Sequence, residues 1–298
     1  MSSSKIDQFE SILTRVAPYM STIVSKARTS FGFTWEQQFD ETLQKLFSDN
    51  NEKLEDAIKG YVRFALDATK LQKRFEKEKI YIPKSYKEAA SAVYHNKEYM
   101  NNLYLPGILL SQYLWPHHYR QLVYFHEKFI PLIHASREKQ FCDVGVGTGF
   151  YSRQILSTSN QIRGKGFDIS EHSLNYATMH IDAFGFLNRW EFELRDVLKN
   201  KTHETFQFLI SVEVLEHLED PVAHLKVLRS MLRSDGFGFI AAAITAPNAD
   251  HIYLYNNCEE VLEQIKKVGF TVIDYSEQIA YEPKKSEPVP RMGLFIVQ

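Results

Sequence analysis

Phe141-Cys-Asp-Val-Gly-Val-Gly-Thr-Gly-Phe150 is the most informative segment of this 298-residue chain. An apolar strand leads to Asp143, and Gly145, Gly147 and Gly149 follow in a G-x-G-x-G loop before a run that favours a helix. A strand that turns sharply into a helix leaves backbone N–H groups bare, and glycines let a ligand approach those groups closely. The segment therefore predicts a ligand-binding turn between a strand and a helix.

The spacing of these glycines separates two classes of ligand. A dinucleotide fingerprint has the form G-x-G-x-x-G, whereas here the third glycine comes one residue early and Phe150 stands at the dehydrogenase glycine position. A nicotinamide-dependent oxidoreductase is therefore the less favoured alternative. The pattern D-x-G-x-G-x-G instead resembles the first motif of the class I S-adenosylmethionine (SAM) methyltransferases. That resemblance implies that Asp143 and the three glycines bind SAM.

Two acids at predicted strand ends follow the glycine loop. The strand from Ile162 to Asp168 ends about 20 residues after the glycines, where a carboxylate can accept the ribose hydroxyls of an adenosine. The resemblance assigns this role to Asp168, with Ile169 beside it. It also assigns the adenine amino group to Asp196 and an adenine ring nitrogen to the backbone N–H of Val197. The residues alone leave two alternatives open, in which Asp168 caps the next helix and Asp196 is a turn residue.

A fourth motif lies between Phe206 and Pro221. A buried strand runs into the segment E-V-L-E-H-L-x-D-P, and its proline suits the first turn of a helix. The segment is similar to the fourth-strand motif of methyltransferases in ubiquinone-type and related small-molecule pathways. The resemblance implies that Ser211, Val212 and Glu213 line the methionine part of SAM.

Helices and strands alternate along the rest of the chain, which argues for an α/β fold. One predicted helix and three predicted strands follow the fourth motif: the helix Cys258–Val268 and the strands Gly236–Thr245, Phe270–Tyr275 and Met292–Val297. The resemblance implies a Rossmann-like sheet of seven strands, mostly parallel with the last strand antiparallel. Residues 1–135 have few strand signals and read as helices. We therefore predict an all-helical substrate cap over residues 1–135 and a SAM-binding domain over residues 136–298.

The predicted cap is rich in aromatic side chains. Ten of the sixteen tyrosines lie in residues 1–135, and the densest segment spans residues 94–124. These side chains either pack helices together or wall the substrate pocket with an apolar body and a hydrogen-bonding tip. Tyr113 and His117 are our predicted substrate contacts in this segment. His251 and Tyr253 are two more, because the resemblance places substrate-facing loops after the fifth strand.

The expected reaction is an in-line displacement at the methyl group of the sulfonium, for which an enzyme supplies mainly alignment and a dry pocket. His217 is the predicted catalytic base for an acceptor that must lose a proton, since its ordinary pKa lies near neutrality. A structural histidine at a helix start is the alternative. Glu213, Glu216 and His217 form E-x-x-E-H, through which some methyltransferases of quinone biosynthesis and of small-RNA tails bind a divalent ion. Relatives without a metal share the pattern, and we predict no metal site.

Composition bounds the class of protein. A hydrophobic content of 44% supports a proper core, and a net charge of −2 argues against bulk attraction to nucleic acid. Two cysteines suggest no disulfide framework, and the N-terminal residues lack the apolar core of a signal peptide. No run of about 18 apolar residues suggests a membrane span. We expect a cytoplasmic protein.

Together these features predict a SAM-dependent methyltransferase that releases S-adenosylhomocysteine. Its expected acceptor is a small organic molecule of secondary or specialised metabolism, methylated on nitrogen, oxygen, carbon or sulfur. A peptide, a protein or an RNA end is the alternative acceptor. The sequence leaves the acceptor atom and the oligomeric state open.

Overall fold

The N-terminal part of the chain is helical in the computed structural model, which describes residues 4–48, 50–82, 85–283 and 288–298. Its helices are α1 (Lys5–Val16), α2 (Ile23–Phe47), α3 (Asn51–Glu78), α4 (Tyr86–Ala92), α5 (Lys97–Tyr99), α6 (Leu105–Leu114), α7 (Pro116–Tyr124) and α8 (Ile130–Ala135). Two π-helical turns, Met100–Tyr104 and Phe125–Phe129, join α5 to α6 and α7 to α8. Ser4 and Asn50 cap α1 and α3, because their side chains accept hydrogen bonds from backbone N–H groups in the first turn of each helix.

The C-terminal part contains one seven-stranded sheet. Its strands are β1 (Gln140–Val144), β2 (Arg163–Asp168), β3 (Trp190–Leu194), β4 (Phe206–Val212), β5 (Leu232–Ile244), β6 (Val272–Ile279) and β7 (Arg291–Val297). They lie in the order β3-β2-β1-β4-β5-β7-β6. Strands β1 to β5 pair in parallel, and β7 runs antiparallel to both β5 and β6. The predicted Rossmann-like sheet, mostly parallel with an antiparallel last strand, is confirmed.

Helices cover both faces of the sheet. The helices that follow the strands are α9 (Phe150–Thr158), α10 (Glu171–Ala183), α11 (Pro221–Met231) and α12 (Cys258–Lys267). On one face, the rings of Phe125 and Phe129 lie 5.0 and 5.8 Å from the ring of Phe239 on β5. All three side chains are fully buried, and each such burial stabilises the fold by about 1.5–3 kcal/mol. The π-helical turn before α8 is therefore part of the sheet's own core.

The helical part also contacts the end of the sheet where the predicted site lies. Because β1, β2 and β4 are parallel, their carboxyl ends meet at one edge, and ligands of open α/β sheets bind outside that edge. The Gln72 side chain of α3 donates to the carbonyl of Pro288 at 2.8 Å. Arg120 of α7 donates to the carbonyl of Ile279 at 2.5 Å. These contacts fix α3 and α7 beside the strand ends, although the boundary predicted at residue 135 stays a prediction.

Among the described residues, no helix is both long enough and apolar enough to cross a bilayer.

Candidate functional site

The glycine loop after β1 has the backbone conformation that its sequence predicts. Gly145, Gly147 and Gly149 have φ angles of +83°, +55° and +71°, in the left-handed region that favours glycine. A Cβ atom on Gly145 would lie 2.4 Å from the side chain of Val214, whereas one on Gly147 would meet nothing within 4 Å. Gly145 therefore cannot carry a side chain, because it packs against the loop after β4. Gly147 has open space where a side chain would be.

Asp168 at the end of β2 binds the glycine loop. Its carboxylate accepts the backbone N–H of Gly147 at 3.0 Å and that of Ser170 at 2.8 Å. Burial raises the pKa of Asp168, and these two N–H groups oppose the rise because they favour the anion. Ser170, not Asp168, caps α10 by accepting the N–H of Ser173, so the helix-cap alternative for Asp168 is wrong.

A single cavity of about 640 Å³ joins the glycine loop to the helical part. Seven of the predicted cofactor-binding residues line it: Asp143, Gly145, Gly147, Asp168, Ile169, Val212 and Glu213. Inside this wall the Asp143 carboxylate accepts the hydroxyl of Ser152 at 2.5 Å. Burial raises the pKa of Asp143 to about 7. The described structure thus brings the ends of β1, β2 and β4 together on one concave surface.

Two predicted cofactor residues lie behind this surface. A Cβ atom on Gly149 would come within 3.0 Å of the Ala177 side chain, so this glycine allows α9 to pack closely on α10. The hydroxyl of Ser211 donates to the carbonyl of Val144 at 2.9 Å, which ties β4 to β1. Neither residue lines the cavity. Their contacts support the loop rather than reach a ligand.

Asp196 and Val197, the predicted adenine contacts, also lie off the cavity wall. The Asp196 carboxylate accepts the backbone N–H of Leu198 at 3.0 Å and pairs with the Lys199 ammonium at 3.0 Å. This is the turn geometry of the alternative reading. Val197 is buried in the apolar cluster beneath α11.

Tyr113, a predicted substrate contact, is fully buried away from the cavity. Its hydroxyl lies 2.7 Å from the Thr42 hydroxyl and accepts an N–H of Arg153 at 2.9 Å. Its ring stacks on Phe39 with centroids 4.9 Å apart. A buried guanidinium needs hydrogen-bond acceptors, and this need accounts for the position of Tyr113 between α2, α6 and α9.

Tyr253 lies on the far side of the sheet from the helical part. Its ring is 4.7 Å from that of Tyr255, its hydroxyl accepts the Gln264 amide at 2.9 Å, and it packs against the cluster beneath α12. It does not line the cavity, whereas His251 does. Of the two substrate contacts predicted after the fifth strand, His251 therefore faces the cavity and Tyr253 faces away from it.

His117, the other predicted substrate contact in the helical part, does line the cavity. Its ring stacks on Trp115 with centroids 5.7 Å apart and planes 18° apart. Its Nδ1 atom is buried and has no hydrogen-bond partner among the described residues. Burial holds the pKa of His117 well below its ordinary value, so the ring is neutral.

His217 lines the cavity beside a buried acid that the sequence analysis missed. Its Nδ1 atom lies 3.2 Å from the carbonyl and 3.3 Å from the carboxylate of Asp250. The same carboxylate accepts the hydroxyl of Tyr94 at 3.0 Å and that of Tyr104 in a shorter bond. Burial alone would lower the pKa of His217, but the charges of Asp250 and Glu216 outweigh it and raise that pKa. The only sequence signal for Asp250 was an acid next to His251.

Glu216 and His251 complete a compact group with His217. One ligand atom from each of the three residues lies within 4.8 Å of the others. His251 Nδ1 donates to the carbonyl of Ala246 at 2.6 Å, and since a carbonyl only accepts, Nε2 carries the free lone pair. Burial raises the pKa of Glu216 to about 7, and burial next to His217 lowers that of His251 to about 3. Neither oxygen of Glu216 makes a hydrogen bond of normal geometry with the described residues.

Glu213 lies next to this group but outside it. It has a φ angle of +56°, which is rare for a residue with a side chain, and its backbone N–H donates to the carbonyl of Ala241 at 2.9 Å. Its carboxylate is 4.0 Å from Nε2 of His118. Burial, reinforced by the nearby Glu216, raises the pKa of Glu213 to about 8. Strained backbone at a strand end is a frequent property of functional sites.

Comparison with known proteins agrees with this geometry. A family model described as a methyltransferase domain matches residues 135–282. The ubiquinone biosynthesis O-methyltransferase of Parvibaculum lavamentivorans is 32% identical over 102 residues, which are 34% of this chain and 39% of that protein. The enzyme of the same name from Neisseria meningitidis serogroup C is 29% identical over 138 residues, or 44% of this chain and 55% of that protein. The chain thus spans about half, or less, of these relatives' length.

The fold extends further than the sequence similarity. The structure of an O-methyltransferase family protein from Burkholderia thailandensis superposes with a TM-score of 0.54 at 12% identity, and covers 81% of this chain and 71% of that one. At this identity the likeness concerns the fold alone. Residues 135–282 thus match a methyltransferase domain, and the chain shares the fold of that O-methyltransferase family protein.

Proposed function

We propose that this protein transfers the methyl group of SAM to a small organic acceptor. The observation that carries the proposal is the continuous cavity, because the glycine loop and Asp168 line one end of it while His217, His251 and the helical part line the other. A methyl donor and its acceptor must meet in line within one water-poor space. This cavity offers room for both.

The cofactor end of the cavity is the part that supports SAM itself. The Gly147 position leaves space where a ligand could approach the backbone. Asp168 is already ordered by two N–H bonds, so its carboxylate is preorganised for the ribose hydroxyls. Asp196 and Val197 stay our prediction for the adenine end.

The acceptor end supports removal of a proton. Asp250 anchors Nδ1 of His217, which is the arrangement that orients a histidine base, and both His217 and His251 line the cavity. An acceptor hydroxyl or protonated amine would lose its proton here as the carbon–sulfur bond of SAM breaks and the new bond to carbon forms. A carboxylate or thioether acceptor would need no base.

A divalent cation is the second candidate role for these residues. The unmet oxygens of Glu216 and the anchored Nδ1 atoms of His217 and His251 fit one, because such anchoring leaves Nε2 free as a ligand. The cation would be held by Glu216, His217 and His251, and it would supply polarisation of an acceptor oxygen. A ring nitrogen that binds a cation cannot accept a proton at the same time, so cation binding and base catalysis at His217 exclude each other.

Calorimetric titration with S-adenosylhomocysteine, with NADH in a parallel cell, tests the proposal. Binding of S-adenosylhomocysteine alone supports it and leads to a screen of small acceptors with labelled SAM. Peptides and RNA ends in the same screen test the alternative acceptors. Binding of NADH alone would refute it in favour of an oxidoreductase. Repeating the titration after EDTA treatment, with and without added Mn²⁺, separates the two roles of His217.

A further inference from the structure

One helix lines the acceptor side of the cavity along most of its length. Tyr61, Ala65, Ala68, Gln72 and Glu76 of α3 all line the cavity, and their spacing of three or four residues puts them on one helix face. Tyr61 and Glu76 are fifteen positions apart, a distance of about 22 Å along an α-helix. The acceptor side of the cavity is therefore a slot that follows α3 for four turns.

The slot is walled by apolar and aromatic groups. Phe64 stacks on Trp115 with ring centroids 5.5 Å apart and planes 19° apart, and both line the cavity. Ile23 and Met292 line it from α2 and β7. Ala65 and Ala68 carry only a methyl group, which keeps the slot open beside the helix. An apolar wall of this kind favours apolar surface in its ligand.

Charges are confined to one part of the slot. Of the described residues that line the cavity from the helical part, only Lys73 and Glu76 carry a charge at neutral pH, and Lys73 is exposed at the last turns of α3. Between them and Trp115, the amide oxygens of Gln72 and Gln112 are buried and have no hydrogen-bond partner among the described residues. These oxygens accept hydrogen bonds only. Neither amide adds a charge to the slot.

The slot adjoins the acidic site at the strand ends. The ring of Trp115 lies 5.0 Å from that of His118, and His118 Nε2 lies 4.0 Å from the carboxylate of Glu213. A ligand held along α3 would therefore have one of its groups beside Glu213 and His217. Its remainder would extend past Ala68 towards Lys73.

From this geometry we infer that the methyl acceptor is an elongated, uncharged and mostly apolar molecule that lies along α3 with its reactive group beside Glu213 and His217. The inference rests on the proposed function, because it names the substrate class for the same site. It goes beyond the relatives, whose sequence matches cover 44% of this chain or less. A highly charged RNA end or a hydrophilic peptide does not fit a slot that is apolar over most of its length.

A series of 4-methyl-, 4-butyl- and 4-octylphenol tests the inference by calorimetry with saturating S-adenosylhomocysteine. Each buried methylene contributes about 0.8 kcal/mol, so affinity should rise about fourfold per added carbon. Equal affinity across the series would overturn the inference. Failure to bind S-adenosylhomocysteine would count against the proposed function instead, so the two failures are distinguishable.

Ala68→Phe is the variant that fills the middle of the slot. Octylphenol should then bind no more tightly than methylphenol, while S-adenosylhomocysteine affinity stays unchanged. Leu66→Phe is the matched control, since Leu66 is on the same helix, is 37% exposed and does not line the cavity. It should retain the chain-length dependence. Unchanged octylphenol affinity in Ala68→Phe would refute the placement along α3, and the wild-type series decides the matter should that variant fail to fold.

Discussion

Adding one methyl group to Gly147 should weaken cofactor binding in addition to lowering the stability of the fold. Gly147 has a φ angle of +55°, and a Cβ atom there would meet nothing within 4 Å. In Gly147→Ala the new methyl group would project into the cavity beside Asp168, where the proposed cofactor lies. The folded protein has space for it, whereas the complex does not.

The expected magnitudes follow from these two facts. A side chain in the left-handed region costs roughly 1–2 kcal/mol. With about 2–4 °C per kcal/mol for a chain of this size, the melting temperature should fall by roughly 2–8 °C. Forcing a methyl group into a filled site costs typically about 1–3 kcal/mol, which corresponds to a 5- to 150-fold weaker affinity for S-adenosylhomocysteine.

Gly185→Ala is the matched control for backbone strain. Gly185 has a φ angle of +75°, has nothing within 4 Å of an added Cβ, and does not line the cavity. Both variants should lose similar stability in thermal melts, and only Gly147→Ala should lose affinity in calorimetric titrations at 25 °C. Wild-type affinity in Gly147→Ala, or an equal loss in Gly185→Ala, would refute our assignment of the loop.

Three further changes probe other parts of the molecule. Tyr113→Phe removes two buried hydrogen bonds, one with the Thr42 hydroxyl and one from Arg153, so urea unfolding should reveal a loss of about 1–3 kcal/mol with unchanged S-adenosylhomocysteine affinity; altered affinity would contradict the structural role. Burial lowers the pKa of His180 to about 3, so the unfolded chain gains a proton below about pH 6.5 that the folded chain does not. Between neutral pH and pH 5, His180 should therefore lower the free energy of unfolding by about 2 kcal/mol. A His180→Gln variant should lose about 2 kcal/mol less than the wild type over this pH range, and the same pH profile of unfolding in both proteins would refute the argument. Glu216→Gln should weaken Mn²⁺ binding at least about tenfold by electron paramagnetic resonance, with the exposed Glu263→Gln as control; equal Mn²⁺ affinity in the two variants would exclude the cation role.

The elements that the sequence predicted correctly depend on short stretches of chain. The G-x-G-x-G turn needs positive φ angles, and only glycine adopts these freely, so Gly145 and Gly147 identify the turn from local sequence alone. The acid that ends β2 is equally local, since it closes a short predicted strand about 20 residues after the glycines. Parallel strands then bring these ends together, which explains why seven predicted cofactor residues share one cavity.

Contacts between distant segments were beyond such reasoning. Asp250 accepts hydroxyls from Tyr94 and Tyr104, which lie 156 and 146 positions away. No local pattern marks which of ten tyrosines in the helical part turns towards that acid and which, like Tyr113, turns towards Arg153. The rotation of each helix about its own axis decides this, and it is set by packing of the whole aromatic layer. The approach of His251 to Glu216 and His217 likewise needed the fold.

The aromatic layer from Phe125 and Phe129 onto Phe239 has a consequence for how this protein can be divided. These rings form one continuous apolar cluster that includes residues from α1 to α3 and from β1, β4, β5 and β7. A fragment that begins at residue 136 would lose α1 to α3 and the Phe125 and Phe129 rings, and would expose to water the part of the sheet that they cover. The part of the chain that forms the sheet is thus not an exchangeable module, and a chimera that joins it to foreign helices must also supply the ring surface that completes its core.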